Sequence, residues 1–167
     1  MGDTVDIEHE LAVLVRRVRE LEDREEIRNV IASYGPAVDR GDSIEAANLW
    51  APDGTYDVDG YGISTGRAAI KTLLDGPHHQ QLIAGGAAHF LSPVKLEVTN
   101  DIAIAVGYSC VFQWNGEAFN AVRISANRWT LERNEGAWHV TGRINRLLSG
   151  SAAAQAILEI ENASGSL

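Results

Sequence analysis

A carboxylate and an imidazole held together in protected surroundings can remove a proton from carbon. The carboxylate engages one ring nitrogen, fixes the tautomer and raises the basicity of the ring, and the other nitrogen takes the proton. The chain offers one such pair. Asp39 closes the segment Tyr34-Gly35-Pro36-Ala37-Val38-Asp39-Arg40-Gly41-Asp42, and His89 interrupts the small, apolar run Gly85-Gly86-Ala87-Ala88-His89-Phe90-Leu91. Each also has a plain structural reading: an Asp at a helix end satisfies backbone groups, and a histidine can sit hydrogen-bonded in a core. Tyr34 can donate its phenol to a leaving group or pack as a helix aromatic. Tyr56, Tyr108, Phe112 and Trp129 can wall a cavity for a hydrophobic ring or form ordinary core. Ser125 and Asn127 alternate with Arg123 on one strand face, where inward polar groups require a ligand or water. Arg143 and Arg146 are three apart on one strand and therefore face opposite ways. Pattern alone turns Arg146 inward, in phase with Trp138, Val140, Ile144 and Leu148.

The elements that must position these residues follow from periodicity. Ile7, Leu11, Leu14, Val18 and Leu21 recur at steps of four and three, a heptad-like helical stripe. Ile27, Val30, Ile31 and Tyr34 continue on a rotated face. The charged run Glu22-Asp23-Arg24-Glu25-Glu26 between them predicts a break, with Asp23 as N-cap. Asp42-Ser43 starts a short helix through Trp50, and Ala51-Pro52-Asp53-Gly54 is a turn signal. Residues 55–62 read as a hairpin and Gly66 to Leu74 as a further helix, ended by Asp75-Gly76-Pro77. Residues 77–86 read as a loop at the edge of a pocket, with His78 and His79 as loop histidines.

From Ala87 onward the chain reads as β. Ile102, Ile104, Val106, Tyr108, Cys110, Phe112 and Trp114 alternate as a half-buried strand, Asn115-Gly116 is a hairpin signal, and two more long strands follow. Val94, Leu96 and Val98 are one apolar face, so strict alternation puts His89 on the other, with Lys95 and Glu97. An inward His89 needs a bulge or twist, and Ser92-Pro93 is where the chain can supply one. Helices first, then long antiparallel strands, predicts an α+β fold: a curved antiparallel sheet forming a cone-like half-barrel packed against N-terminal helices. Three regions result: an N-terminal helical extension (1–22), the cone domain (23–150), and a C-terminal helix with a loose tail (151–167).

Bulk properties narrow the function. The 167 residues carry a net charge of −9, with 45% hydrophobic and 22% charged residues. That is ordinary for one soluble domain, and its field repels nucleic acid and anionic membrane. No apolar run approaches the ~18 residues of a membrane helix, and the acidic N-terminus has no signal-peptide core. The expected compartment is the cytoplasm. One cysteine, Cys110, excludes an internal disulfide and a multi-cysteine zinc site. The five histidines have no metal-ligand spacing, so no metal and no cofactor are expected.

Four features together resemble the SnoaL-like families of the nuclear transport factor 2-like superfamily. They are Tyr34…Val38-Asp39, Trp50-Ala51-Pro52-Asp53-Gly54-Thr55-Tyr56, His89 opening a strand, and Gly136-Ala137-Trp138 opening the last strand. The resemblance spans roughly residues 20–150. Asp39 with His89 is similar to the dyad of the scytalone dehydratase, hexachlorocyclohexane dehydrochlorinase and bile-acid 7α-dehydratase group. Tyr34 matches a tyrosine of the last. The resemblance implies a cofactor-independent elimination on a small hydrophobic ring compound, with His89 as base, Asp39 orienting it, and Tyr34 or Arg143 assisting the leaving group. It places Tyr56, Ser125 and Asn127 at pocket positions, and Arg143 rather than Arg146 at the arginine position. The second histidine of scytalone dehydratase has no counterpart, since its region holds Phe112-Gln113-Trp114. The resemblance also implies a homo-oligomer, dimer or trimer. An isomerase or cyclase using the same base, and a ligand-binding protein without chemistry, are the alternatives.

Overall fold

The structure is a computed structural model that describes residues 3–160, with side chains described from residue 7 to residue 160. Helix α1 runs unbroken from Asp3 to Asp39. The break expected at residues 22–26 does not occur. Asp23 accepts from Arg133 Nη2 (2.6 Å) and from Trp138 Nε1 (3.3 Å), and Glu26 accepts from the Trp138 amide (3.1 Å). The charged run is therefore a clamp onto the sheet. Beyond it, Ile27, Ile31, Tyr34 and Val38 bury one face of α1, the spacing of a core-facing helix.

After α1 come α2 (Ser43–Asn48), β1 (Trp50–Val58), β2 (Gly62–Thr65), α3 (Arg67–Leu74), α4 (Pro77–Ala84) and β3 (Ala87–Leu91). β4 (Lys95–Thr99), β5 (Ile102–Trp114), β6 (Phe119–Asn134), β7 (Ala137–Leu147) and α5 (Ala152–Ala156) complete the described residues. Asp42 caps α2 by accepting from the Glu45 amide at 2.8 Å. The turn signal at Ala51-Pro52-Asp53-Gly54 lies inside β1, as an irregularity in its pairing with β7 between Trp50 and Thr55. The loop expected at 77–86 is mostly helix α4, with Pro77 in its first turn, where a missing amide costs nothing. The expected loose tail at 162–167 lies outside the described residues.

The strands form one seven-stranded, curved, unclosed sheet in the order β2-β1-β7-β6-β5-β3, with β4 also paired to β5. All pairings are antiparallel except β1 with β7, which is parallel. The α+β half-barrel expected from sequence is thus present. Its concave side holds a core of Trp50, Trp129, Leu131, Trp138 and Val140 packed against α1 and α3. Among the described residues no helix is long and apolar enough to cross a membrane.

Two register steps decide which side chains reach the concave side. Leu91 pairs with Ser109 and Lys95 with Val106, so β3–β4 spends one residue more than β5 across Ser92-Pro93-Val94. A one-residue step exchanges the two faces of a strand. His89 and Leu91 therefore share the concave side with Leu96, although their numbers differ in parity. The second step is at Thr141, where Leu131 pairs with Val140 but Thr130 with Gly142. Trp138 and Val140 are buried before it, Arg143 and Asn145 after it.

Candidate functional site

Helix α1 lies along the free edge of β3, the last strand of the sheet order. A Cβ on Gly35 would stand 2.4 Å from the His89 carbonyl oxygen, so only glycine permits this approach. One turn further, the Asp39 carboxylate meets the same residue twice. Oδ2 accepts from the His89 backbone amide at 2.9 Å, and Oδ1 lies 2.7 Å from Nδ1 of the ring. The first contact satisfies an edge amide. The second makes Nδ1 the protonated nitrogen and leaves Nε2 with a lone pair. Burial lowers the proton affinity of the imidazole below its ordinary value, outweighing the opposing pull of Asp39, and His79 and Arg143 push in the same direction as burial. The ring is thus held neutral and oriented.

His89 lines a cavity of about 750 Å³ walled also by Tyr34, Tyr56, His79, Val111 and Arg143, well suited in size to a small organic molecule. Arg143 is 2% exposed. Its Nε and Nη2 donate to Asn127 Oδ1 at 3.1 and 2.8 Å, while Nη1 is buried without a hydrogen-bond partner. No carboxylate pairs with it among the described residues. Instead its guanidinium carbon lies 4.0 Å from the centre of the Trp129 ring, 4.3 Å from Tyr34 and 4.7 Å from Tyr56. Such cation–π contacts offset part of the burial cost. Burial also drives the Tyr34 phenol well above its ordinary pKa, so it stays a neutral donor.

The other residues marked in the sequence divide between cavity, support and outer face. Asn127 and Trp129 form the bed on which Arg143 rests rather than the cavity lining, and Asn127 also donates to Ser109 Oγ at 2.8 Å. Ser125 is fully buried, its hydroxyl without a partner. Tyr108 and Phe112 face away from the cavity. On β5 the concave positions are Ala103, Ala105, Ser109, Val111 and Gln113, so the larger alternating set that looked like core lies on the convex side. Tyr108 is 51% exposed, Phe112 packs edge-to-face on Phe90, and half-buried Cys110 lies between them. Arg146 also faces away and pairs with Asp57. The Thr141 step, invisible in the alternation, puts Arg143 inside instead. His79 was missed: Pro77 following a glycine marks a helix start, and α4 carries this ring to the cavity.

The model of the SnoaL-like domain matches residues 19–144 of the chain. The chain belongs to the SnoaL-like domain family. A solved structure agrees: an NTF2-like protein with a cystatin-like fold from Novosphingobium aromaticivorans is 48% identical, aligned over 90% of this chain and 97% of its own, with a TM-score of 0.87. A protein from Catenulispora acidiphila, solved in complex with S-DNPA, is 19% identical over 80% of this chain and 98% of its own, with a TM-score of 0.69. A protein of unknown function from Mycobacterium tuberculosis is 19% identical over 84% and 86%, with a TM-score of 0.70. The last two are similar in fold alone. No curated protein matches the chain. SnoaL-like domains include ring-modifying enzymes, so the membership fixes architecture and leaves the reaction to the site.

Proposed function

We propose that this SnoaL-like protein is a cofactor-independent lyase acting on a small hydrophobic ring compound. The observation that carries the reading is the 2.7 Å contact between Asp39 Oδ1 and His89 Nδ1 on the wall of the cavity. His89 Nε2 takes a proton from a ring carbon made acidic by a neighbouring carbonyl or aromatic system. The C–H electron pair becomes the new double bond as the bond from the adjacent carbon to oxygen or halogen breaks. A departing hydroxide takes the proton from the His89 imidazolium and leaves as water. A departing halide leaves as the anion, and the imidazolium loses its proton to solvent. Asp39 stays ionised and stabilises the imidazolium. Arg143, a fixed charge in a low-dielectric wall, stabilises the negative charge that develops, and Tyr34 supplies a phenol donor on the same cavity wall. The Catenulispora relative, similar in fold, holds a small molecule.

The test is turnover of hydroxylated and halogenated cyclic ketones, followed by mass spectrometry, by the unmodified chain and by His89→Ala. Loss of water or hydrogen halide that collapses in the variant supports a lyase. A product of unchanged mass identifies an isomerase using the same base. Turnover equal in both proteins removes His89 from the mechanism. Ligand binding unaffected by Asp39→Asn, with no turnover of any bound compound, identifies a binding protein.

The chain acts as a homo-oligomer, dimer or trimer. Two apolar surfaces support this: Phe90, Tyr108 and Ile124 on the convex face of the sheet, 62%, 51% and 48% exposed, and Leu11, Leu14 and Val18 on α1, all at least half exposed. Apolar patches of this kind mark association surfaces.

A further inference from the structure

The geometry points to His79 as a second imidazole of the site, one that accepts a hydrogen bond from a ligand hydroxyl seated between its ring and that of His89. This deepens the proposed lyase reading and narrows its substrate class to hydroxyl-bearing ring compounds rather than halides.

The tautomer of His79 is fixed by geometry. Nδ1 lies 2.7 Å from the Leu74 carbonyl oxygen, an acceptor only, so Nδ1 must carry the proton. That carbonyl ends α3, and the contact alone is an ordinary way to satisfy a helix terminus. It leaves Nε2 as a lone pair, and Nε2 is buried with no hydrogen-bond partner. A helix-end role accounts for one nitrogen and not for the other. The His79 ring stands 5.5 Å, centre to centre, from the His89 ring, and both line the same cavity. Each ring has its Nδ1 proton engaged, by Leu74 in one case and Asp39 in the other. Two acceptor nitrogens on adjacent rings have no proton to share, so neither can satisfy the other. A hydroxyl can satisfy one directly: it donates its single proton to His79. Its oxygen then gains basicity and stays free to receive the proton that His89 has taken from carbon. A carbon–halogen bond offers no proton to this nitrogen.

Entry to this position requires room, because neighbouring atoms screen Nε2 of His79. Helix α4 is able to give it. The helix buries none of its own residues and is flanked by Gly76 at one end and Gly85-Gly86 at the other, with Gly86 at φ +87°. A short helix whose inner ties are His79 and Gln80 at the Leu74 carbonyl and half-buried Ile83 can pivot about that carbonyl by the fraction of a turn that a ligand demands.

The experiment uses the full chain with 2-naphthol and its ether, 2-methoxynaphthalene, which differ in the hydroxyl proton. Calorimetry is expected to give about tenfold tighter binding of the phenol, the worth of one well-made hydrogen bond in a buried site. His79→Phe is expected to erase that preference, and His79→Gln, which restores an acceptor, to recover part of it. In the unmodified protein, the 15N signal of the unprotonated His79 Nε2 should move upfield with 2-naphthol and stay in place with the ether. Equal affinity for the two compounds overturns the inference, as does a preference that survives His79→Phe, or a His79 ring found protonated at Nε2. None of these readouts needs turnover. A failure here leaves the His89 turnover test standing, and failure of that test leaves this one intact.

Discussion

Asp39 grips His89 at two points, the ring through Oδ1 at 2.7 Å and the backbone amide through Oδ2 at 2.9 Å. One contact sets the tautomer and the other sets the distance between helix and strand, so the carboxylate is at once an electrostatic partner and a spacer. Asp39→Asn keeps the shape but cannot stabilise an imidazolium. We expect a fall in kcat of at least about 10²-fold, with the circular-dichroism spectrum unchanged, and a similar or larger fall for His89→Ala. Activity within a few-fold of the unmodified chain in either variant would remove the dyad from the chemistry.

The acid side of the pH profile should carry the signature of His89. Burial depresses its proton affinity in the folded state. Between that depressed value and the ordinary value of about 6.5 the unfolded chain binds more protons, so folding stability rises with pH through the window and is complete above it. Activity should fall as pH drops below the same window, with its inflection under 6.5. Urea titrations from pH 4 to pH 8 test the first statement, and the acid slope should weaken in His89→Gln. An inflection above 7 would contradict the buried, neutral ring.

Gly35 should be intolerant of even the smallest side chain. The methyl of Gly35→Ala would stand 2.4 Å from the His89 carbonyl oxygen, a backbone atom that cannot move aside alone. Overpacking of this kind costs about 1–3 kcal/mol. The helix must also back away from β3, carrying Asp39 with it, and a misplacement of about 1 Å in such a site can cost on the order of 10² in rate. Thermal denaturation and kcat should therefore fall together. An alanine variant with unchanged melting temperature and rate would show that the close approach is not required.

Arg143→Met should separate charge from packing. The methionine fills much of the volume beneath Tyr34 and Trp129, and Asn127 Oδ1 keeps the hydrogen bond from Asn145 Nδ2 at 3.0 Å. An isostere that removes a buried charge without a counter-ion is expected to leave stability unchanged or raised. Turnover should drop by about 10²-fold or more if the cation serves the developing charge. Loss of fold with no change in rate per folded molecule would make Arg143 a structural residue.

Tyr108→Glu and Leu14→Glu place charges on the two exposed apolar surfaces. Analytical ultracentrifugation should show an oligomer in the unmodified chain, and a smaller species when the surface that mediates it is charged. A monomer at every concentration would remove the assembly.

The architecture was legible in the sequence through the order of helical and alternating segments, and the contact between Asp39 and His89 through the resemblance those two residues carry. What misled was parity. Counting by twos along β7 put Arg146 inside and Arg143 out, because the Thr141 step leaves no mark in residue types. On β5 the bulkier face, with Tyr108 and Phe112, looked like core because size was read as depth. The true inner face is built from Ala103, Ala105 and Ser109, whose smallness makes room for α1 and the cavity. The charged run Glu22–Glu26 suggested a helix end because its partners, Arg133 and Trp138, lie more than a hundred positions away. His79 was hidden by reading α4 as loop.

The step at Ser92-Pro93-Val94 makes the identity of the inner wall depend on arithmetic rather than on composition. Were the β4 register to run on through this segment without the step, His89 would fall opposite Phe112 and face the exterior, and Ala88 and Phe90 would come inward. One pairing offset, and no residue type, therefore decides whether the imidazole lies inside, and two chains that align almost perfectly can present different interiors.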